Sequence, residues 1–293
     1  MKPHTRQCFA NHLANHWLID PVWAERAVAE IRAHGLPMRS MEDDDWSDAV
    51  VKPDDPGYET VGQVAVISID GPMAKFSSSF GGCNTVLTRK AVRAAVKDQA
   101  IASIVLRIDS PGGTVDGTKE LADDVAAAGK SKPCYAFCED TTASAALWVA
   151  AQAKRVYANA TALVGSIGCY MVLVDSSKAY EAAGMRTIVV SSGGMKGLGA
   201  DGAPVTDDQV AYLKSLVDER TDFFVKAIAS GRGMTQSAVR DLADGRVHVA
   251  SKAQALGLID GVRTFDQVMA EAAPARVARG KRMQAEIDIA SAE

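Results

Sequence analysis

Between Gly62 and about Val190, short apolar runs that stop at glycine or proline alternate with stretches of helical period. GQVAVISIDG (62–71) reads as a strand closed by Gly71-Pro72, SIVLRID (103–109) as a second and CYAFC (134–138) as a third. RVYA (155–158), a stretch after GSIG and RTIVV (186–190) continue the series. Helices are predicted between them, over 84–98, through Leu121 and Val125, over 141–153 and before Gly184. Strands alternating with helices at this spacing argue for βαβ units around a mostly parallel sheet, so the predicted fold class is α/β.

The flanks follow other rules. Residues 1–57 read as a small helical preface and an acidic linker. Phe9, Leu13, Trp17 and Leu18 form one apolar stripe, Asp20-Pro21 ends it, and Trp23, Ala27 and Ile31 resume at four-residue spacing. After the glycine-rich SSGGMKGLGADG, a long helix is predicted over 206–229 with Thr206 as its N-cap. Thr235 and Ser251 are read as caps of two short helices around the strand RVHVA. One domain is therefore expected over 58–273, followed by a charged, alanine-rich tail over 274–293.

Composition removes several function classes. A chain of 293 residues with 47% hydrophobic and 23% charged residues can bury a sizeable core. Its formal charge of −4 gives no bulk electrostatic reason to expect nucleic acid or an anionic membrane as partner. The five cysteines, Cys8, Cys83, Cys134, Cys138 and Cys169, are odd in number and scattered, unlike a disulfide framework. No Cys or His pair answers Cys134 and Cys138, so no metal site is predicted. With no secretory signal pattern and no apolar run of about 18 residues, the expectation is a cytoplasmic protein without an integral membrane segment.

The chemistry is bounded by what is scarce. His4, His12, His16 and His34 all lie in the preface, which leaves His248 in an apparent strand, where a structural role is expected. A Ser-His-Asp triad is thus poorly supported, and a serine hydrolase would need lysine as its base. DSPGG (109–113) is either a plain strand-to-helix turn or a set of backbone N–H groups forming an oxyanion site. GSIG (165–168) places Ser166 between glycines, as a turn or as a point where other backbone approaches closely. Ser144 follows Thr141, Thr142 and Ala143 and precedes Ala145-Ala146-Leu147-Trp148, in the first turn of a helix fed by a strand. It is either one small packing residue among others or a nucleophile beside the N–H groups of a helix start.

Taken in order, the opening strand, SPGG, ASAALW, GSIG and the lysine in the glycine-rich loop after VVSSG resemble the signal peptide peptidase A family, the S49 serine peptidases. Within that family the chain is most similar to the soluble phage and prophage capsid-assembly (head maturation) proteases. The resemblance runs over residues 60–272 and implies a ClpP/crotonase-like spiral of βαβ units. It further implies Ser144 as nucleophile, Lys196 as general base and Ser166 as the residue that positions that lysine. The implied oxyanion hole uses N–H groups of Gly112, Gly113 and Ala145, with Gly112 against Gly113 left open. Many relatives carry two glycines after the nucleophile where this chain has Ala145-Ala146, which keeps the N–H but narrows the pocket.

An exposed lysine is a cation at pH 7 and a poor base, so the resemblance requires a Lys196 amine held neutral by burial. No acidic residue lies between Ser191 and Ala200 to oppose that, whereas Lys178 and Lys214 fall on predicted helices. The implied partners are polypeptides, in the phage branch capsid or scaffold proteins, together with further copies of the chain in a homo-oligomeric ring. No cofactor and no metal are implied. Two other readings stay open: a catalytically silent scaffold or capsid ring component, and a crotonase-like acyl-CoA enzyme, which would not require Ser144 and Lys196 together.

Overall fold

A computed structural model describes residues 17–19, 56–76 and 82–274. In chain order its first half contains β1 (Trp17–Ile19), β2 (Glu59–Val61), β3 (Val64–Asp70), β4 (Met73–Ala74), β5 (Cys83–Asn84), α1 (Thr85–Lys97), β6 (Ser103–Ser110), β7 (Gly112–Thr114) and α2 (Thr118–Ser131). There follow β8 (Cys134–Ala143), α3 (Ala145–Ala150), β9 (Arg155–Ala158), β10 (Leu163–Gly165), α4 (Ser177–Ala182) and α5 (Asp207–Arg232). The described part closes with α6 (Gln236–Arg240), β11 (Val247–Val249), α7 (Ala250–Ala255), β12 (Gly261–Val262) and α8 (Phe265–Ala272).

Two compact units result. Of the described residues, the larger unit holds 18–168 and 224–274, the smaller Trp17 and 169–223. The larger is built on a sheet of order β11-β10-β8-β6-β3-β2, with β9 also on β8 and β12 on β9. Its centre is parallel, with Ile67 beside Leu106 and Leu106 beside Ala136. These strands are buried in nearly unbroken runs, as expected where helices cover both faces. On one face α8 packs on β6 and β8, burying Val268 and Ala272 against Val66, Val105, Tyr135 and Phe137. Its start is a reciprocal capping box between Thr264 and Gln267. α1 packs on β3 and on α2, its own start capped by the Asn84 side chain, which accepts from Val86 and Leu87 N–H at 3.0 and 3.1 Å.

The feature that places the site is a change of neighbours along β8. Tyr135 to Cys138 pair with β9, whereas Thr141 to Ala143 pair with β10. Against β6 the register jumps, Ile108 facing Cys138 but Ser110 facing Thr142, so Glu139 and Asp140 form a bulge. The Thr141 N–H freed there is taken by the Asp109 carboxylate at 3.0 Å. The α/β alternation and parallel sheet are as expected from the sequence.

Several boundaries differ. The expected helix over 141–153 is strand up to Ala143 and helix only from Ala145, because β10 supplies a ladder partner to Thr141–Ala143. The stretch after GSIG and RTIVV (186–190) were both expected as strands; the first makes a single bridge at Tyr170 and the second forms none, and Val172, Val174, Ile188, Val189 and Val190 lie exposed. Ser251 caps nothing: α7 begins at Ala250, with Val249 at the cap position. Thr235 does cap α6, accepting from Ala238 N–H at 3.2 Å, and Thr206 with Gln209 caps α5. Trp17 and Leu18, assigned to a helical stripe, belong to β1, whose backbone groups pair with β7. The rest of the expected preface and linker to residue 55, and the tail from 275 on, lie outside the described residues.

Asp260 ties three elements of the larger unit together. It accepts from Arg232, whose side chain is 8% exposed, and from Arg155, both at 2.9 Å, and from Val156 N–H at 2.8 Å. Burial pushes its carboxyl up, but the hydrogen bonds from Arg232, the Val156 amide and Arg155 outweigh burial and hold it below the usual aspartate value. Asp260→Ala strands a buried guanidinium, and urea unfolding is expected to show a loss of about 3 kcal/mol. A depressed carboxylate stabilises the fold above its unfolded pKa, near about 3.9, and that stability is lost as pH falls through the folded value. The gap between wild type and variant should therefore narrow on acidification through that window and stay constant above it.

Candidate active site

Among the described residues only two that are not glycine have positive φ, and they sit together. Ser144 has φ 56° and ψ −120°, and Ser166 has φ 55°. Such conformations cost of order 1–3 kcal/mol each and persist where the surroundings over-determine them. Here the surroundings are backbone: Ser144 N–H donates to Gly165 O at 2.8 Å, and Ser166 N–H donates to Arg246 O at 2.7 Å. A Cβ on Gly165 would lie 2.5 Å from that same Arg246 oxygen, so only glycine lets the two segments approach. Both serines are buried, at 1% and 5% exposure.

Ser144 is the hinge between β8 and α3. Trp148 N–H donates to its carbonyl at 3.0 Å as the first turn of the helix, so Ser144 is the N-cap and Ala145 the first helical residue. Every residue of α3 is buried, and Trp148 stacks on Phe224 at 5.1 Å between ring centres. The run of alanines around Ser144 lets this helix start reach the core.

The DSPGG turn lies alongside. Ser110 pairs with Thr142, two residues before Ser144, and α3 packs on β7. Gly112, at φ 96°, donates its N–H to Ser110 Oγ at 3.2 Å. Gly113 lies so close over Met73 that a Cβ would fall 1.9 Å from the Met73 oxygen. The sequence singled out the glycines of this turn and passed over Asp109 and Ser110, whose side chains brace it. Their place inside the quoted motif was the signal that could have found them.

Lys196 belongs to the smaller unit. It is exposed there, in a series of turns where its N–H donates to Gly193 O at 2.9 Å. With Thr187, Val189, Ser191, Pro204 and Gln209 it lines a cleft of about 310 Å³. From Cys169 to Phe223 the only buried residue is Gly202, while Val174, Ile188 and Val190 are more than 70% exposed. The loop after Lys196 is tied to α4, for Asp201 accepts from Ser176 Oγ and Tyr180 Oη at 2.6 Å each.

The remaining candidates are accounted for by packing. His248 pairs with Val164 in the β10–β11 ladder and is half-buried. Cys134 and Cys138 are fully buried in β8, and burial pushes both thiols up to about 12. A larger cleft of about 550 Å³ lies in the larger unit between Arg155, Tyr157, Asp260, Arg263 and Glu271. Its charges are matched internally, Arg263 bonding Glu271 at 2.7 Å and lying 4.5 Å over the Tyr157 ring. No helix among the described residues is long and apolar enough to cross a membrane.

The model of peptidase family S49 matches residues 126–278, just over half of the chain, a span that includes Ser144, Ser166 and Lys196. The chain belongs to peptidase family S49. This S49 chain is 29% identical over 240 residues to capsid assembly protease C of Escherichia phage lambda, covering 78% of the chain and 54% of that protein. It is 28% identical over 189 residues to a head-tail preconnector protein of Enterobacteria phage P21, covering 62% and 37%. A protein of Methanocaldococcus jannaschii whose name marks it as a candidate protease is 30% identical over 173 residues, covering 59% and 56%. The chain thus spans about half the length of the curated relatives it matches.

The strain at Ser144 gives a test independent of catalysis. Glycine adopts its dihedrals freely, whereas alanine keeps the Cβ that makes them costly. Ser144→Gly is expected to be about 1 kcal/mol more stable than Ser144→Ala in urea unfolding. Equal stabilities would mean that the backbone relaxes and that position 144 is not held under strain.

Proposed function

We propose that this S49 chain is a serine endopeptidase with Ser144 as nucleophile and Lys196 as general base. The observation that carries the reading is the pair of buried serines at positive φ joined through Gly165, at the positions that the family resemblance assigns to the nucleophile and to the residue that positions the lysine. In the proposed reaction a neutral Lys196 amine takes the Ser144 Oγ proton as Oγ bonds to the peptide carbonyl carbon. The oxyanion is received by backbone N–H groups of Ala145 and of the PGG turn. Collapse of the tetrahedral species breaks the C–N bond, and the ammonium returns its proton to the leaving amine. Water then attacks the ester with Lys196 again as base.

Both glycines stay open at the hole: the Gly112 N–H donates to Ser110 Oγ at 3.2 Å, and Gly113 is the middle residue of β7, a strand paired with β4 and β1. Homo-oligomerisation completes the site in this reading. An exposed lysine lacks the desolvation a neutral amine needs, and residues 169–223 present apolar side chains without a core of their own. Ring assembly of further copies would cover both. The names of the two phage relatives support capsid or scaffold polypeptides as substrates, met in the host cytoplasm or the assembling prohead.

Cleavage of capsid and scaffold polypeptides, followed by intact-protein mass spectrometry, tests the assignment. Ser144→Ala is expected to lose activity at least roughly a thousandfold, and Lys196→Arg at least roughly a hundredfold although it keeps the charge. The wild-type rate should rise with pH as the free-enzyme amine loses its proton. Near-native turnover by a folded, assembled Lys196→Arg protein would overturn the dyad.

A further inference from the structure

Ser110 is fully buried, and its single hydroxyl is committed twice. It donates to Gly71 O at 2.6 Å and accepts from Gly112 N–H at 3.2 Å, while Gly71 N–H donates to Asp109 O at 2.9 Å. The turns that follow β3 and β6 are thereby cross-tied by two hydrogen bonds, and the third holds Gly112 within its own turn. On its other side the same stretch is tied to β8, through Asp109 to Thr141 N–H and through the pairing of Ser110 with Thr142. Gly113 is clamped on Met73 by close backbone contact, and β7 packs against the helix that Ser144 caps.

A backbone oxyanion hole works only if its donors are held before the charge develops, because reorganisation during the reaction would cancel the gain. Three-residue glycine turns have no side chains to hold them. Ser110 holds the Pro111-Gly112-Gly113 turn directly, because its hydroxyl accepts from the Gly112 N–H and so fixes the Pro111–Gly112 peptide.

We propose that Ser110 is a positioning residue for the oxyanion hole: its hydroxyl locks the PGG turn, which supplies a stabilising N–H, in place beside the Ser144 reaction centre. The proposal rests on the assignment of Ser144 as nucleophile. Ser110 does not touch the substrate; it acts through the turn. Its loss should leave the basicity of the general base unchanged and lower only the stabilisation of the tetrahedral species.

The test compares wild type, Ser110→Ala and Ser110→Cys at one temperature where all are folded by circular dichroism. A fluorophosphonate probe is used, and the rate and site of labelling are followed by intact and peptide mass spectrometry across pH. The thiol of Ser110→Cys fills the space of the hydroxyl but bonds weakly, so it serves where the alanine variant fails to fold. The expected result is labelling at Ser144 with a plateau rate at least tenfold lower in either variant and an unchanged pH midpoint. A purely structural role would lower the unfolding midpoint without that split. A folded variant labelled within twofold of wild type would overturn the proposal, as would a pH midpoint that moves with the rate. Wild type labelled at a serine other than Ser144 would instead overturn the nucleophile assignment on which the proposal stands.

Discussion

A strand that ends in a buried helix start has to turn sharply, and in this chain the turn is made at Ser144 with a backbone conformation that an L-residue adopts only under constraint. The constraint is the hydrogen bond from Ser144 N–H to Gly165 O, backed by the bond from Ser166 N–H to Arg246 O. Much of the larger unit serves that geometry. The bulge at Glu139 and Asp140 lets β8 leave β9 and join β10, which brings Gly165 alongside. Asp109 takes the amide freed by the bulge, and Gly165 lacks the Cβ that would keep the Arg246 backbone away. The alanines after Ser144 let α3 sink completely into the core, so the serine is fixed from both sides of the hinge.

The smaller unit obeys a different balance. It forms a cleft around Lys196 and braces it through Asp201, Ser176 and Tyr180, but buries no side chain of its own. Apolar surface such as Ile188 and Val190 costs free energy while it faces water, at about 25 cal/mol per Å². In the reading proposed here, the covering copy and the polypeptide substrate supply the desolvation that chemistry at lysine requires.

Much of this was legible in the sequence where side-chain pattern decides the structure. The buried strands read as continuous apolar runs, α5 announced itself through Thr206 and its apolar period, and Ser144, Ser166 and the PGG turn stood out by their small neighbours. Boundaries failed where a distant partner decided instead. Thr141 to Ala143 joined a strand because β10 lies beside them, although alanine-rich sequence favours helix. RTIVV has the composition of a strand, yet composition cannot supply the ladder partner it lacks among the described residues. The hydrogen bonds of Asp109 and Ser110 were invisible because they connect turns some 30 to 40 residues apart in the chain.

The most direct measurement is a crystal structure of the protein reacted with a peptide boronate, which mimics the tetrahedral species. The account predicts boron bonded to Ser144 Oγ, one boronate oxygen about 3 Å from the N–H groups of Ala145 and of the PGG turn, and a Lys196 amine within hydrogen-bond reach of the serine. Boron attached to another residue, or a boronate oxygen that meets neither N–H group, would contradict it.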